Sequence, residues 1–171
     1  GLMDEDAEVR RNVLEGAQFY GLSLPFASVK GFLSDDNPQT VILATTLAVR
    51  SDGNAAEILD ALSPLVKHPS AGVRTTLANS LGSLPGSLPL FRELSKDPST
   101  SVASSALAAR GRARFPEDLT LATEIRDFVR SEKPAAAEKE RLLAILVEDA
   151  DDDNWEFLRE ILFGDSSSPL Q

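Results

Sequence analysis

A unit of about thirty residues repeats along the chain, and this period constrains the fold more than any other feature. Four segments align, beginning at Asp6, Asn37, His68 and Asp97. Each places a valine shortly after its start, at positions 9, 41, 73 and 102. A repeat of this length is typical of one supersecondary unit that buries its apolar face only by stacking on its neighbours. The sequence therefore predicts a row of similar units around a shared core.

Each repeat is predicted to begin a helix. Asn37, His68 and Asp97 directly precede a proline. A polar residue suits the N-cap, and proline suits the first helical turn because no N–H is needed there. Counted from each valine, positions 0, 4 and 8 share one helix face and are expected in the core. These positions hold Val9, Val13, Ala17; Val41, Thr45, Val49; Val73, Leu77, Leu81; and, with a slide of one residue, Val102, Ala106, Leu107. Gly21, Gly82 and Gly111 are predicted to end three of these helices.

Apolar residues at helical spacing also fill the segments between and after the repeats. The corresponding predicted helices are Pro25–Leu33, Ala55–Lys67, Leu88–Lys96, Glu117–Arg130, Pro134–Val147 and Asp153–Phe163. Pro64 is expected to bend or split the second of these near Ser63. The alternation of a half-buried strand is absent from the sequence. The predicted fold class is all-α, with about ten helices.

The turn and helix start of the repeat resembles that of the HEAT-repeat, armadillo-like α-solenoids. The resemblance is carried by an Asp/Asn-Pro-x-x-x-Val-Arg pattern, clearest in His68–Arg74 and Asp97–Val102. It implies a right-handed α-α superhelix of about five HEAT-like helix pairs. It also implies a ladder of aspartate–arginine contacts between adjacent repeats. Arg74 matches that pattern, whereas Ile42 and Ala103 replace the arginine in their repeats.

Charge divides the chain into a neutral middle and two acidic ends. Residues 132–171 hold eleven acids and four bases, and residues 1–20 hold five acids and two bases. Acidic ends suit polar caps on a stack of repeats, and they also suit an acidic docking surface for a basic partner. We expect one repeat domain over residues 1–165 and a flexible tail over 166–171. By the repeat register Val9 lies on a second helix without its first helix, so a fragment of a longer repeat protein is one expectation.

Composition excludes several classes of protein. The chain has no cysteine, which excludes disulfide, thiol and Cys-ligated zinc chemistry. It has one histidine, which excludes a His-rich metal site. Its net charge of −10 argues against nucleic acid and anionic membranes as partners. Apolar runs stay below the ~18 residues that cross a bilayer, and the first residues do not form a signal peptide. We therefore expect a cytoplasmic protein with no cofactor and no membrane partner.

Two patterns raise the question of chemistry. His68 is the only histidine that could serve as a general base. Its place in a turn before Pro69 favours helix capping or exposure over catalysis. Asp149, Asp151, Asp153 and Glu160 stand at positions 1, 3, 5 and 12 of an EF-hand-type calcium loop. Asn154 stands where that loop needs glycine, and helical periodicity continues through it. An acidic cap on the last helix is the favoured interpretation, with calcium binding as the alternative.

One basic cluster occurs in the sequence. It comprises Arg110, Arg112 and Arg114, with Arg126 and Arg130 further along. Such a cluster is able to contact phosphates. Because Glu117, Asp118, Glu124 and Asp127 are interspersed, the local charge is nearly balanced, and a solvated loop between helices is the favoured interpretation.

Stacking is also expected to align side chains that point away from the core. These occupy positions 2, 6 and 9 after each valine, and the tentative partner-binding set is Arg11, Glu15, Leu43, Leu47, Arg50, Thr75, Asn79 and Ser104. Leu43 and Leu47 are candidate apolar anchors for a partner helix or peptide. The alternative is that neighbouring helices cover both leucines, because solenoid helices are flanked on both sides.

The sequence favours non-enzymatic binding of a protein or peptide in a solenoid groove, as a scaffold or adaptor. Two alternatives stay open, since a fold does not select a function. One is an enzyme or lyase subunit built on HEAT repeats, and the other is a structural segment of a larger HEAT-repeat protein. The partner's identity and the oligomeric state are not encoded in any pattern described above.

Overall fold

The computed structural model describes residues 6–131, 134–148 and 151–164. The predicted tail 166–171 lies outside these ranges. Over the described ranges the chain is all-helical and contains no β-strand, which confirms the predicted fold class at that level. The α-helices are α1 Ala7–Phe19, α2 Phe26–Val29, α3 Pro38–Ala48, α4 Ala55–Leu62, α5 Ala71–Ser80, α6 Leu88–Leu94, α7 Thr100–Ala113, α8 Leu121–Arg130, α9 Ala136–Glu148 and α10 Asp152–Phe163. Short 3-10 helices follow α2, α4 and α5, over Lys30–Ser34, Ser63–Lys67 and Leu81–Ser83.

The predicted helix starts are correct in one repeat and shifted by two residues in two others. The Asn37 side chain caps α3 by accepting a hydrogen bond in its first turn. In the later repeats the N-cap residues are Ser70 and Ser99 instead of His68 and Asp97. There, His68 Nδ1 and Asp97 Oδ1 accept hydrogen bonds from the backbone N–H groups of Ser70 and Ser99, at 3.1 and 2.8 Å. The side chains thus close a local turn before the helix starts.

An α-helix ends just before two of the three predicted glycines, at Phe19 before Gly21 and at Ser80 before Gly82. Gly21 follows α1 with a φ of 63°, in the left-handed region. Gly82 lies inside a 3-10 helix, and α7 continues past Gly111 to end before Arg114, whose φ is 52°. A Cβ on Gly111 would stand 2.8 Å from Cγ2 of Ile145 in α9. Glycine at this position therefore permits the close approach of two helices and does not end one.

Proline and a polar turn set the remaining boundaries. The predicted split near Ser63 is confirmed, because α4 ends at Leu62 and a 3-10 helix containing Pro64 follows. The helix predicted over 117–130 begins only at Leu121. Residues 117–120 instead form a turn in which Asp118 binds a buried arginine.

Helices of the repeat units contact one another in chain order. α1 packs on α3, α3 on α5, α5 on α7 and α7 on α9. Other helices lie beside this row: α6 packs on the 3-10 segment after α4, and α8 and α10 pack on α9. The valines at positions 41, 73 and 102 are fully buried, as predicted. Val9 is 36% exposed, so that prediction is wrong; Leu14 joins the predicted Ala17 on the buried face of α1.

The buried side chains form two cores with α7 between them. The first core extends from Leu14 in α1 to Ala109 in α7. The second, smaller core joins Leu107 of α7 to α8, α9 and Phe157 of α10. α7 is buried on both sides along residues 102–110, so it is the helix that connects the two cores.

Candidate functional site

Leu43 and Leu47, the two apolar residues of the tentative partner-binding set, are not surface anchors. Leu47 is 1% exposed and Leu43 is partly buried, and both pack in the first core. The physical reason is that α3 is flanked by α1 and α5, which cover it from both sides. Substitution of Leu47 would therefore change stability directly.

Ser104 is likewise buried and already engaged. It is 0% exposed, and its hydroxyl receives a 2.9 Å hydrogen bond from Arg141. The same Oγ lies 3.3 Å from Oε1 of Glu138. The prediction that Ser104 faces a partner is wrong, because α9 packs over this part of α7.

The charged members near the start of the chain lie side by side on α1. Arg11 Nε lies 3.4 Å from Oε1 of Glu15 on the same helix. Both are in the described part of α1, away from the other predicted residues in sequence, and Thr75 on α5 is half-buried. Arg11 Nε is buried without a hydrogen-bond partner among the described residues, so its contact with Glu15 leaves that nitrogen unsatisfied.

Arg50 and Asn79 are the two predicted residues that the structure brings into one groove. The groove lies between the C-terminal ends of α3 and α5 and has a volume of about 430 Å³. Its lining residues are Thr46, Val49, Arg50, Thr76, Asn79, Ser80 and Ser83. At this place α3 passes into a short turn and α5 passes into the 3-10 helix Leu81–Ser83. The side chains near these two helix ends line the groove.

The groove is polar, and its polar groups are largely unused. Within the described ranges the Arg50 guanidinium makes no ion pair, and the side chains of Thr76 and Asn79 make no hydrogen bond. Arg50 and Asn79 are exposed, while Thr76 is half-buried in the groove wall. The groove thus offers a cationic guanidinium beside hydroxyl and amide groups.

A second cluster contains the arginine that the sequence analysis assigned to a solvated loop. Arg110 is 0% exposed and is enclosed at the end of α7. Its guanidinium donates to both carboxylate oxygens of Asp118, to Oε2 of Glu124 at 2.6 Å and to Oγ1 of Thr120 at 2.8 Å. The solvated-loop interpretation is wrong for Arg110, although Arg112 is exposed.

Two opposing effects act on the pKa values of the Asp118 and Glu124 carboxyls. Burial raises the pKa of the Asp118 carboxyl, but the hydrogen bonds and positive charge of Arg110 outweigh burial and leave that pKa lowered. The pKa of Glu124 is lowered by the same balance. A sequence signal for this cluster existed: Arg110 stands eight residues after Val102, a position that is in the core in other repeats.

The ladder contact implied by the family resemblance occurs once among the described ion pairs. Arg74 donates to Asp97 of the next repeat through Nε at 2.6 Å and Nη2 at 2.9 Å. The two side chains are 12% and 5% exposed. Burial raises the pKa of Asp97, but the hydrogen bond from Arg74 leads the effects that leave it lowered. Arg74 also donates to the carbonyl of His68 at 2.6 Å, so the contact joins two helix starts.

The acidic segment before the last helix forms a cap. The Asp151 side chain accepts a 2.7 Å hydrogen bond from the backbone N–H of Asn154, and α10 begins at Asp152. Helix through this segment is incompatible with an EF-hand loop, and Glu160 pairs with Arg130 at 2.7 Å. Asp149 lies outside the described residues. In the described ranges, no three His, Asp or Glu residues are grouped so as to hold a metal ion.

One surface escaped the sequence analysis. Trp155 and Leu162 of α10 are 56% and 68% exposed, although helical spacing groups them with Phe157, Leu158 and Ile161 as the apolar residues of that helix. Only Phe157 and Leu158 of that set are buried. Periodicity identifies apolar residues on a helix but does not show how many neighbouring elements are present to cover them.

Comparison with protein-family models, curated proteins and solved structures finds no match to this chain. No helix in the described ranges has the length and apolar character needed to span a membrane.

Proposed function

We propose that this chain is a HEAT-like α-solenoid that works as a non-enzymatic protein-binding scaffold, with its partner seated in the groove between α3 and α5. The solenoid part of the proposal is supported by the packing of repeat helices in chain order and by the Arg74–Asp97 contact between adjacent repeats. Stacks of this kind present side chains of successive repeats side by side, which suits binding of an extended segment.

The observation that carries the proposal is the unpaired Arg50 among unused polar groups. A cation exposed in a concave site is best complemented by a carboxylate, which arginine binds with two parallel hydrogen bonds. The hydroxyl and amide groups around it supply donors and acceptors for a peptide backbone. The favoured partner is therefore an extended protein segment with an acidic residue at its centre.

The test compares three forms of the intact protein as bait: wild type, Arg50→Glu and Arg112→Glu. Arg112 is a matched control because it is exposed on α7 and lies outside the groove. A partner captured from a cell extract by wild type and Arg112→Glu, but lost with Arg50→Glu, is then purified and its dissociation constant is measured. We expect at least a tenfold weakening by Arg50→Glu, the direction given by charge reversal at a paired site.

Circular dichroism checks that Arg50→Glu retains the wild-type thermal midpoint, as expected for an exposed side chain. A partner that binds wild type and Arg50→Glu with equal affinity would exclude this groove as the binding site.

A further inference from the structure

The last helix, α10, is apolar on two separate faces. Phe157 points into the second core and is 3% exposed, and Leu158, at the edge of the outward depression, is 4% exposed. Trp155, Leu162 and Phe163 remain 56%, 68% and 77% exposed. At about 100° per residue these three side chains fall within one arc on the opposite side of the helix from Phe157. A helix with apolar residues all round is normally covered on all sides.

The outward face is concave. A depression of about 510 Å³ runs along it, and its surface is mainly apolar. Its lining residues are Asp152, Trp155, Glu156, Leu158, Arg159, Leu162 and Phe163. Large aromatic side chains next to leucine, exposed together and rimmed by charge, mark interaction sites on protein surfaces.

Carboxylates border this face along one side. α10 carries four acids and one base, and of the acids Glu160 is already paired with Arg130. Asp152, Asp153 and Glu156 are exposed and make no ion pair with any described residue. The depression itself is lined by two carboxylates, Asp152 and Glu156, and one base, Arg159, so its charge is negative by one unit. A second copy of this chain would bring a helix of the same negative charge against it, which opposes self-association.

We propose that the outward face of α10 binds an amphipathic helix of a basic partner protein. The apolar face of that helix would cover Trp155, Leu162 and Phe163, with its lysine or arginine side chains directed at Asp152 and Glu156. Helices recognised in this way are held by apolar anchors three or four residues apart, and the charges fix orientation and accelerate association. This surface is separate from the groove between α3 and α5 and does not depend on the function proposed for that groove.

Trp155 is the only tryptophan in the chain, so its emission reports directly on occupation of this face. The probe is a synthetic 18-residue helix with a leucine face flanked by lysines. Two control peptides are used: one of identical composition scrambled to remove the apolar face, and one with glutamate in place of lysine. We expect a saturable blue shift of Trp155 emission with the lysine helix only.

Variants of the protein separate the two contributions. Leu162→Gln with Phe163→Gln is expected to weaken binding by at least about tenfold, because it removes the apolar anchors. Asp152→Asn with Glu156→Gln is expected to weaken it several-fold at low salt and to reduce its salt dependence. Leu119→Gln is the matched control, since Leu119 is 89% exposed on a different part of the surface.

Three results would overturn the proposal. The first is that the glutamate or scrambled peptide binds as well as the lysine helix. The second is that the protein with Leu162→Gln and Phe163→Gln binds with unchanged affinity. The third is that light scattering shows a dimer of the wild-type chain that becomes a monomer on the same substitutions. The last result would assign the face to a second copy of this chain. The substituted side chains are exposed, so each variant is expected to fold like wild type. Circular dichroism of each variant checks this and separates loss of binding from loss of fold.

Discussion

The two cores differ in what joins the elements around them. Around the first core, repeat helices pack through aliphatic side chains, mainly leucine, valine and alanine, and one two-point contact between Arg74 and Asp97 ties adjacent repeats. At the second core, α7 is joined to the next turn and helix by Arg110, which is fully buried and binds Asp118 and Glu124. Where the repeat is regular, apolar packing places the helices. Where the repeat changes, a charged cluster specifies the geometry.

The largest expected effect is at the buried cluster. Arg110→Met removes the guanidinium that binds both Asp118 and Glu124, and it leaves Asp118, whose side chain is 2% exposed, with only a 3.5 Å contact to Arg92. Breaking a buried pair from one side costs about 3 to 5 kcal/mol. Urea unfolding followed by circular dichroism measures the loss. Arg112→Met, on the exposed side of the same helix, is expected to stay within about 0.5 kcal/mol of wild type. Equal stability of both variants would show that Arg110 contributes nothing to the fold.

A smaller loss is expected at the contact between regular repeats. Arg74→Met removes two hydrogen bonds to Asp97, and bonds to charged groups contribute about 1.5 to 3 kcal/mol. The loss is smaller than at Arg110 because Asp97 keeps the hydrogen bond from the backbone of Ser99. The same urea experiment compares the two arginine variants. A larger loss at Arg74 than at Arg110 would reverse the contrast between the two regions.

One glycine-to-alanine change in each region should shift stability in opposite directions. In α7, Gly111→Ala places a Cβ 2.8 Å from Ile145 Cγ2, and such overpacking costs about 1 to 3 kcal/mol. The gain in helix propensity, up to about 1 kcal/mol, only partly offsets it. In α1, Gly16→Ala meets no atom within 4 Å and is expected to stabilise by that gain alone. Thermal unfolding of both proteins tests the sign.

The smallest effect concerns how the free energy of unfolding depends on pH. Between pH 7 and pH 5 the ion-paired carboxyls are expected to cause no change in it. Asp97, Asp118 and Glu124 all have a lowered pKa in the folded protein. Their contribution is complete above the unfolded-state pKa of about 4 and is lost as pH falls further, because the unfolded chain binds protons first. Urea unfolding from pH 7 to 3 should show this decline, and Arg74→Met should show less of it. Constant stability down to pH 3 would contradict the ion pairing.

Sequence patterns predict the regular part of the molecule well. The repeat period, the cap at Asn37 and the break at Pro64 all depend on interactions within a few residues, and the structure contains each of them. The predicted helix end at Gly111 fails because glycine serves two purposes: it can end a helix, and it can admit a close neighbour. At Gly111 it admits a neighbouring helix, which lies 34 residues away in sequence at Ile145.

The candidate sites were only partly predictable. Arg50 and Asn79, at positions 9 and 6 after the valines of adjacent repeats, line one groove, and their role in binding a partner stays a prediction. Leu47 and Ser104 were misplaced because the repeat period does not show which helices are covered on both sides. The outward face of α10 was missed for the converse reason: apolar spacing alone does not distinguish a covered side from an open one.

The burial of α7 on both sides has a practical consequence for anyone who dissects this chain. A fragment that stops before residue 100 leaves the first core without its closing helix, and a fragment that starts after it removes a wall of the second. Truncated pieces would therefore expose apolar surface and adhere non-specifically. Mapping which end of the protein recruits a given partner requires point substitutions in the intact chain.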